Sequence, residues 1–178
     1  MIAGLLFLSF AFFAVAKAGT VRNGGQSAAD AAALAAAQDD RDELFDGFRD
    51  ALGDGDSWKD WLDGHGPLTG DGCGEADHFA ASNRADVLSC EAVTRDGDDG
   101  YTVRVRTRFD TGDTIVPGTE HKKAQATATA VVKPRCEIAD EDADGIGLTC
   151  DGEEFTIDPD ADDPGLEPSD LFSVVLVG

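Results

Sequence analysis

Four acidic residues are spaced as a cation site would need them. Asp140, Asp142 and Asp144 alternate along DEDADG, Gly145 follows, and after five further residues comes Asp151. That register matches a D-x-D-x-D-G-x5-D loop, in which alternate carboxylates converge on one calcium ion and the glycine allows the sharp turn. Calcium is therefore the one cofactor this sequence suggests. An acidic loop tied off by a disulfide at Cys150 would present the same letters.

Other short matches invite catalysis and lack their partners. Gly55-Asp56-Ser57 resembles the opening of the GDSL hydrolases, whose serine needs a later Asp-x-x-His, yet the last histidine of the chain is His121. A helix cap at Ser57 is the plainer expectation. Asp110-Thr111-Gly112 resembles an aspartic-protease carboxylate, which works only when two such groups share a proton. His65, His78 and His121 are scattered without metal-ligand spacing, and no HExxH, P-loop or nucleophile elbow occurs. No enzyme is expected.

The four cysteines, Cys73, Cys90, Cys136 and Cys150, form an even set with no C-x-x-C pair, which favours disulfides over a zinc site. Three pairings are open, and the two sequential ones are expected. A loop closed by Cys136 and Cys150 is worth about 3 kcal/mol in the chain-entropy model.

These groups sit in a chain of 178 residues with a formal net charge of -22, from 36 acids against 14 bases. Such a surface repels phosphate backbones and excludes nucleic acid as a partner. Aspartate outnumbers glutamate by 27 to 9, which puts acids in turns and caps rather than helix interiors.

The chain opens apolar from Met1 to Ala16, with Lys17 as its first charge. Sixteen helical residues reach about 24 Å, a little short of a hydrocarbon core of roughly 30 Å. The stretch reads as a retained membrane anchor running on into the next helix, or alternatively as a signal peptide cleaved after Ala16 or Ala18. Either way the remainder leaves the cytoplasm.

The anchor leads into QSAADAAALAAA, with eight alanines in twelve residues. Alanine has the highest helix propensity and leaves no bulk on the helix surface. Ala28, Ala29, Ala32, Ala33 and Ala36 are thus expected to form an assembly face for a neighbouring subunit. Leu44, Phe45, Phe48 and Leu52 extend the helix as an amphipathic segment ending near Gly53–Gly55. A short helix with Trp58, Trp61 and Leu62 on one face follows, then a loop from Gly64 to Gly72. A third helix over 74–83 is expected to point Phe79 and Ala80 inward.

From Val87 the period changes to two. Val103, Val105 and Thr107 alternate with Arg104, Arg106 and Arg108, and Ala124, Ala126, Ala128 and Ala130 line one side of the next segment. The arginines read as a solvated strand face paired with neighbouring acids, or as a contact for an acidic partner. Short strands around GLTC, EFTI and LFSVVLV complete a sheet of about five strands. The expected fold is α+β: a protruding N-terminal helix over 1–52 and a disulfide-bonded antiparallel sheet head over 53–178.

QSAADAAALAAA, with the apolar helix and the Arg22-Asn23 step before it, resembles the N-terminal region of TadE/TadG-like proteins. These belong to the Tad (tight adherence, Flp-type) pilus machinery. VRVRTRFDTGDTIVPGTEHKKAQATATAVVKPRC, and LTCDGEEFTIDPD through DLFSVVLV, resemble an actinobacterial TadG-related branch. The resemblance implies a type IV pilin-like architecture and a structural role as pseudopilin or minor pilin, without catalysis. It also implies other pilin-like subunits as partners, in the cell envelope or an extracellular filament. A secreted acidic adhesive or calcium-binding domain is the alternative.

Overall fold

A computed structural model describes residues 2–112, 120–142, 145–159, 161 and 164–178. The chain is α+β. Helix α1 (Ile2–Ala51) runs through the anchor, the alanine run and the amphipathic segment without a break, and the short helices α2 (Trp58–Leu62) and α3 (Cys73–Ser82) follow. The strands are β1 (Ala85–Arg95), β2 (Asp98–Thr107), β3 (Gln125–Pro134), β4 (Cys136–Asp142), β5 (Gly145–Cys150) and β6 (Glu153–Ile157), before helix α4 (Pro168–Leu171) and β7 (Phe172–Val177).

The single sheet expected from the sequence is two. An antiparallel sheet in the order β1-β2-β3-β7 carries the head, and β4-β5-β6 form a separate small sheet. The LFSVVLV strand returns to pair with β3, whereas GLTC and EFTI pair within the small sheet. Strand counting cannot distinguish these arrangements, because each strand has the same period whichever partner it takes. Two hairpins turn on Asp-Gly: Asp96-Gly97 joins β1 to β2 and Asp151-Gly152 joins β5 to β6. All four residues have positive φ (55°, 101°, 49° and 90°). This is the primed-turn geometry that matches strand twist, and it explains part of the aspartate excess.

The core lies between the C-terminal part of α1 and the inner face of the larger sheet. Val103, Val105 and Thr107 point inward and are fully buried, Val103 facing Ala128 and Val105 facing Ala126 across the register. Thr107 is satisfied there: its hydroxyl donates to the Phe109 carbonyl at 2.7 Å and accepts from the Ala124 amide at 3.0 Å. α1 lies directly on this face. A Cβ at Gly25 would stand 3.0 Å from Ala124 Cβ, and one at Gly24 would stand 2.7 Å from the Phe109 ring. The Gly24-Gly25 pair thus marks where helix and sheet touch, and tertiary packing offsets its poor helix propensity.

Further along α1, Phe48 meets Trp58 edge-on with ring centroids 6.0 Å apart, and Leu44, Leu52 and Leu62 complete that end of the core. Trp58 and Leu62 are buried, while Trp61 is half-buried in the space left by Gly47 and Gly66. α3 contributes Ala76 and Ala80 to the core, but Phe79 is 40% exposed rather than inward, because Cys73 is fixed by its disulfide and Ala76 and Ala80 define the buried face. Ser57 does not cap α2; its hydroxyl donates back to the Asp54 carbonyl at 2.8 Å. The disulfides are the sequential ones. Cys73–Cys90 ties α3 to β1, and Cys136–Cys150 closes the base of the β4–β5 hairpin.

Ala32 has no exposed surface and lies in the tightest part of this core. Ala32→Leu is expected to lower unfolding free energy by about 1–3 kcal/mol through overpacking. Phe79→Ala should stay within about 0.5 kcal/mol. Urea unfolding followed by circular dichroism measures both.

Candidate functional site

The sequence placed function on α1, and the structure divides that helix into two environments. Up to Thr20 every described side chain except Ala11 is exposed, and Phe12 (78%), Val15 (73%), Phe13 (67%) and Leu5 (66%) are the extreme cases. Val21 is the first buried residue, and from there a stripe at spacings of three and four runs through Gly25, Ala28, Ala29, Ala32, Ala33 and Ala36 to Asp40 and Leu44.

That stripe overturns the expectation of an exposed assembly face. Ala28, Ala29, Ala32, Ala33 and Ala36 are all fully buried inside the head, against β2, β3 and α3. Small side chains do admit another backbone, but the backbone admitted is the chain's own. At Gly72 a Cβ would come 2.5 Å from the Ala36 carbonyl oxygen. The division between helix and head consequently falls near residue 20, not at residue 52.

One acid interrupts the stripe. Asp40 is only 5% exposed, and its carboxylate accepts a hydrogen bond from the Tyr101 hydroxyl at 3.0 Å. The Gly72 amide donates to the same hydroxyl at 3.4 Å. Burial pushes the Asp40 carboxyl up to about 6, with Asp39, Glu43 and Asp99 adding to the rise and Tyr101 opposing it. Burial likewise pushes the Tyr101 hydroxyl up to about 12. The signal was present in the sequence: Asp40 continues the spacing of the buried alanines, and the chain has one tyrosine. Beside it, Glu43 accepts from the Thr69 amide and hydroxyl at 2.6 Å and from the Gly70 amide at 2.8 Å, clamping the glycine-rich loop onto α1. Burial opposes ionisation of Glu43, but these hydrogen bonds outweigh it and hold the carboxyl below its usual range.

The two ends of the acidic calcium register, Asp140 and Asp151, do not meet on one centre. Asp140 lies on β4 opposite Gly147, while Asp151 is the first turn residue after β5, with its carboxylate 2.7 Å from Arg135 Nε. Asp151 lies four residue steps beyond Gly147, about 13 Å at the usual strand rise. Calcium ligands sit about 2.3–2.6 Å from the ion. Asp151 therefore cannot join Asp140, because β4 and β5 pair antiparallel and hold the two residues far apart along the strands. The Asp142 side chain and Asp144 lie outside the described residues. Among the described residues no group of three or more histidines, cysteines and acids could hold a metal ion.

The protease-like Asp110 closes its own turn. Its carboxylate accepts from the Gly112 amide at 2.8 Å, which holds it below the usual range, and lies 3.4 Å from His121 Nδ1. Of the arginine row, Arg108 pairs with Asp86 at 2.7 Å and Arg104 and Arg106 are exposed on the outer sheet face.

No protein-family model, curated protein or solved structure matches this chain. Among the described residues no helix is long and apolar enough to cross a membrane.

Asp40 makes stability depend on pH with a definite sign. Its folded pKa of about 6 lies above its unfolded value of 3.8, so the folded chain binds more protons between them. Stability from this group is full below pH 4 and is lost as pH rises through 6, by up to about 3 kcal/mol. Asp40→Asn is expected to flatten that loss and to raise stability at pH 7.5 by about 1–3 kcal/mol. Urea titrations of both proteins between pH 4 and 8 measure the difference.

Proposed function

We propose that this chain is a structural, membrane-anchored pilin-like subunit of a Tad/Flp-type adhesive pilus or of its assembly machinery. The observation that carries the reading is the division of α1: one continuous helix whose second half is the core of a head and whose first half projects bare and apolar. A helix that is apolar all round is stable only when buried in lipid or among other helices. With the apolar run extending from Met1 to Ala16 and Lys17 at its edge, this segment holds the head at a membrane and supplies the surface that packs beside pilin-like neighbours in a filament. Its reach falls a few ångströms short of a bilayer core, a mismatch that local thinning and snorkelling of Lys17 absorb at modest cost. Two disulfides suit a head exposed outside the cytoplasm.

Packing between subunits is assigned to residues before Thr20, since the alanines from Ala28 to Ala36 are already engaged within the head. The resemblance of the alanine segment and the later strands to TadE/TadG-like proteins supports the same role.

N-terminal sequencing of the mature protein, with extraction of membranes at high salt and alkaline pH, tests this. The expected result is a chain that keeps the apolar segment and stays with the membrane, and whose Leu8→Asp/Phe12→Asp variant is released. A mature start after Ala16 or Ala18 would leave the head intact, because the first buried residue is Val21. That result would replace the pilin reading with the secreted acidic domain.

A further inference from the structure

We propose that the base of the head, where α1 emerges, binds the headgroup phosphate of an anionic phospholipid. The inference rests on the membrane-anchored reading of α1 and goes beyond it. A shallow recess of about 360 Å³ lies between α1 and the start of β3. Its floor is apolar, from Val21 and Ala124, and its rim carries Arg22, Lys122 and Lys123. All three cations are exposed. The Lys122 backbone is held by a short ladder: the Thr111 amide donates to the Lys122 carbonyl at 3.1 Å, and the Lys122 amide donates to the Thr111 hydroxyl at 3.0 Å. Of the described carboxylates nearby, Asp86 pairs with Arg108, Asp110 with the Gly112 amide and His121, and Glu120, two residues before Lys122, is also engaged.

The helix sets the depth of this recess. The last apolar residue before a charge is Ala16, and the head begins at Val21. Four helical residues from Lys17 to Val21 rise about 6 Å. The headgroup layer on each side of a bilayer is about 5–8 Å thick. An α1 inserted up to Lys17 therefore places Arg22, Lys122 and Lys123 at the level of the lipid phosphates, within a Debye length of the surface. The rest of the chain is strongly acidic and is repelled by an anionic bilayer. Collecting cations at the emerging helix turns that repulsion into an orientation, with the base against the lipid and the acidic body away from it.

The test uses the full chain reconstituted in nanodiscs of phosphatidylcholine mixed with phosphatidylglycerol. Lipids retained after detergent extraction are measured by mass spectrometry, and amide exchange of residues 120–125 is followed in the discs. The expected result is enrichment of phosphatidylglycerol over the bulk mixture and slower exchange than in phosphatidylcholine alone, both reversed by salt. Each basic residue removed should weaken the preference about fivefold, so Arg22→Gln/Lys122→Gln/Lys123→Gln abolishes it. Arg49→Gln/Arg95→Gln/Lys133→Gln, an equal change of charge elsewhere on the head, should retain it. Equal enrichment in the two triple variants, or none in the wild type, overturns the proposal while leaving the anchor in place. Failure of the chain to enter discs of either composition overturns both.

Discussion

The structure depends on one contact, the close seating of a small-residue helix face on a small-residue sheet face. Gly25 and the buried alanines of α1 meet Thr107, Ala124, Ala126, Ala128 and the valines of β2. Neither surface has a side chain long enough to hold the other away, so the contact is made by near-backbone atoms at interior packing density. Larger residues collect only past Asp40, where Leu44, Phe48, Trp58 and Leu62 fill the space beside α2. The head thus tapers from a bulky end to a tight one, and the helix leaves through the tight end.

That seating decides what the rest of α1 can do. The small residues are consumed inside the chain, so the described side chains before Val21, Ala11 apart, are left exposed, phenylalanine and leucine among them. Exposed apolar area of this extent on one helix is a demand for burial. The two halves of one continuous helix thereby differ in role within the fold: one forms the core of the head and the other projects from it.

Electrostatics follows the same axis. Most acids are solvated on the body of the head or held in turns such as Asp96-Gly97 and Asp151-Gly152, whereas the base around the emerging helix is basic. Among the described residues the single acid that enters the core, Asp40, does so against Tyr101 and is left with an elevated pKa by burial. Motifs that resemble sites, including Asp110-Thr111-Gly112, Asp56-Ser57, Asp140 and Asp151, fall in turns, a helix start and a strand. Turns and helix starts are the places where short polar side chains hydrogen-bond locally.

Much was legible in the sequence. The helix from the first residues to about Gly53, the short Trp58–Leu62 helix and the switch to strands all follow from local periodicity and propensity. The sequential disulfides follow as well, since cysteines near in the chain close small loops. What periodicity cannot carry is partner choice. Alanines at helical spacing read the same whether a neighbouring subunit or the chain's own sheet covers them. Strands of period two read the same whether they join one sheet or two. An Asp-rich register reads the same in a calcium loop and in a β-hairpin, although only the loop brings its ends together. The sequence by itself determined the elements and the apolar, acidic and cysteine-bearing character of each. The tertiary structure decided that one face of residues 21–52 is core, that Asp140 and Asp151 lie apart, and that Arg22 stands beside Lys122 and Lys123. Each of these rests on contacts between residues distant along the chain, which no local pattern encodes.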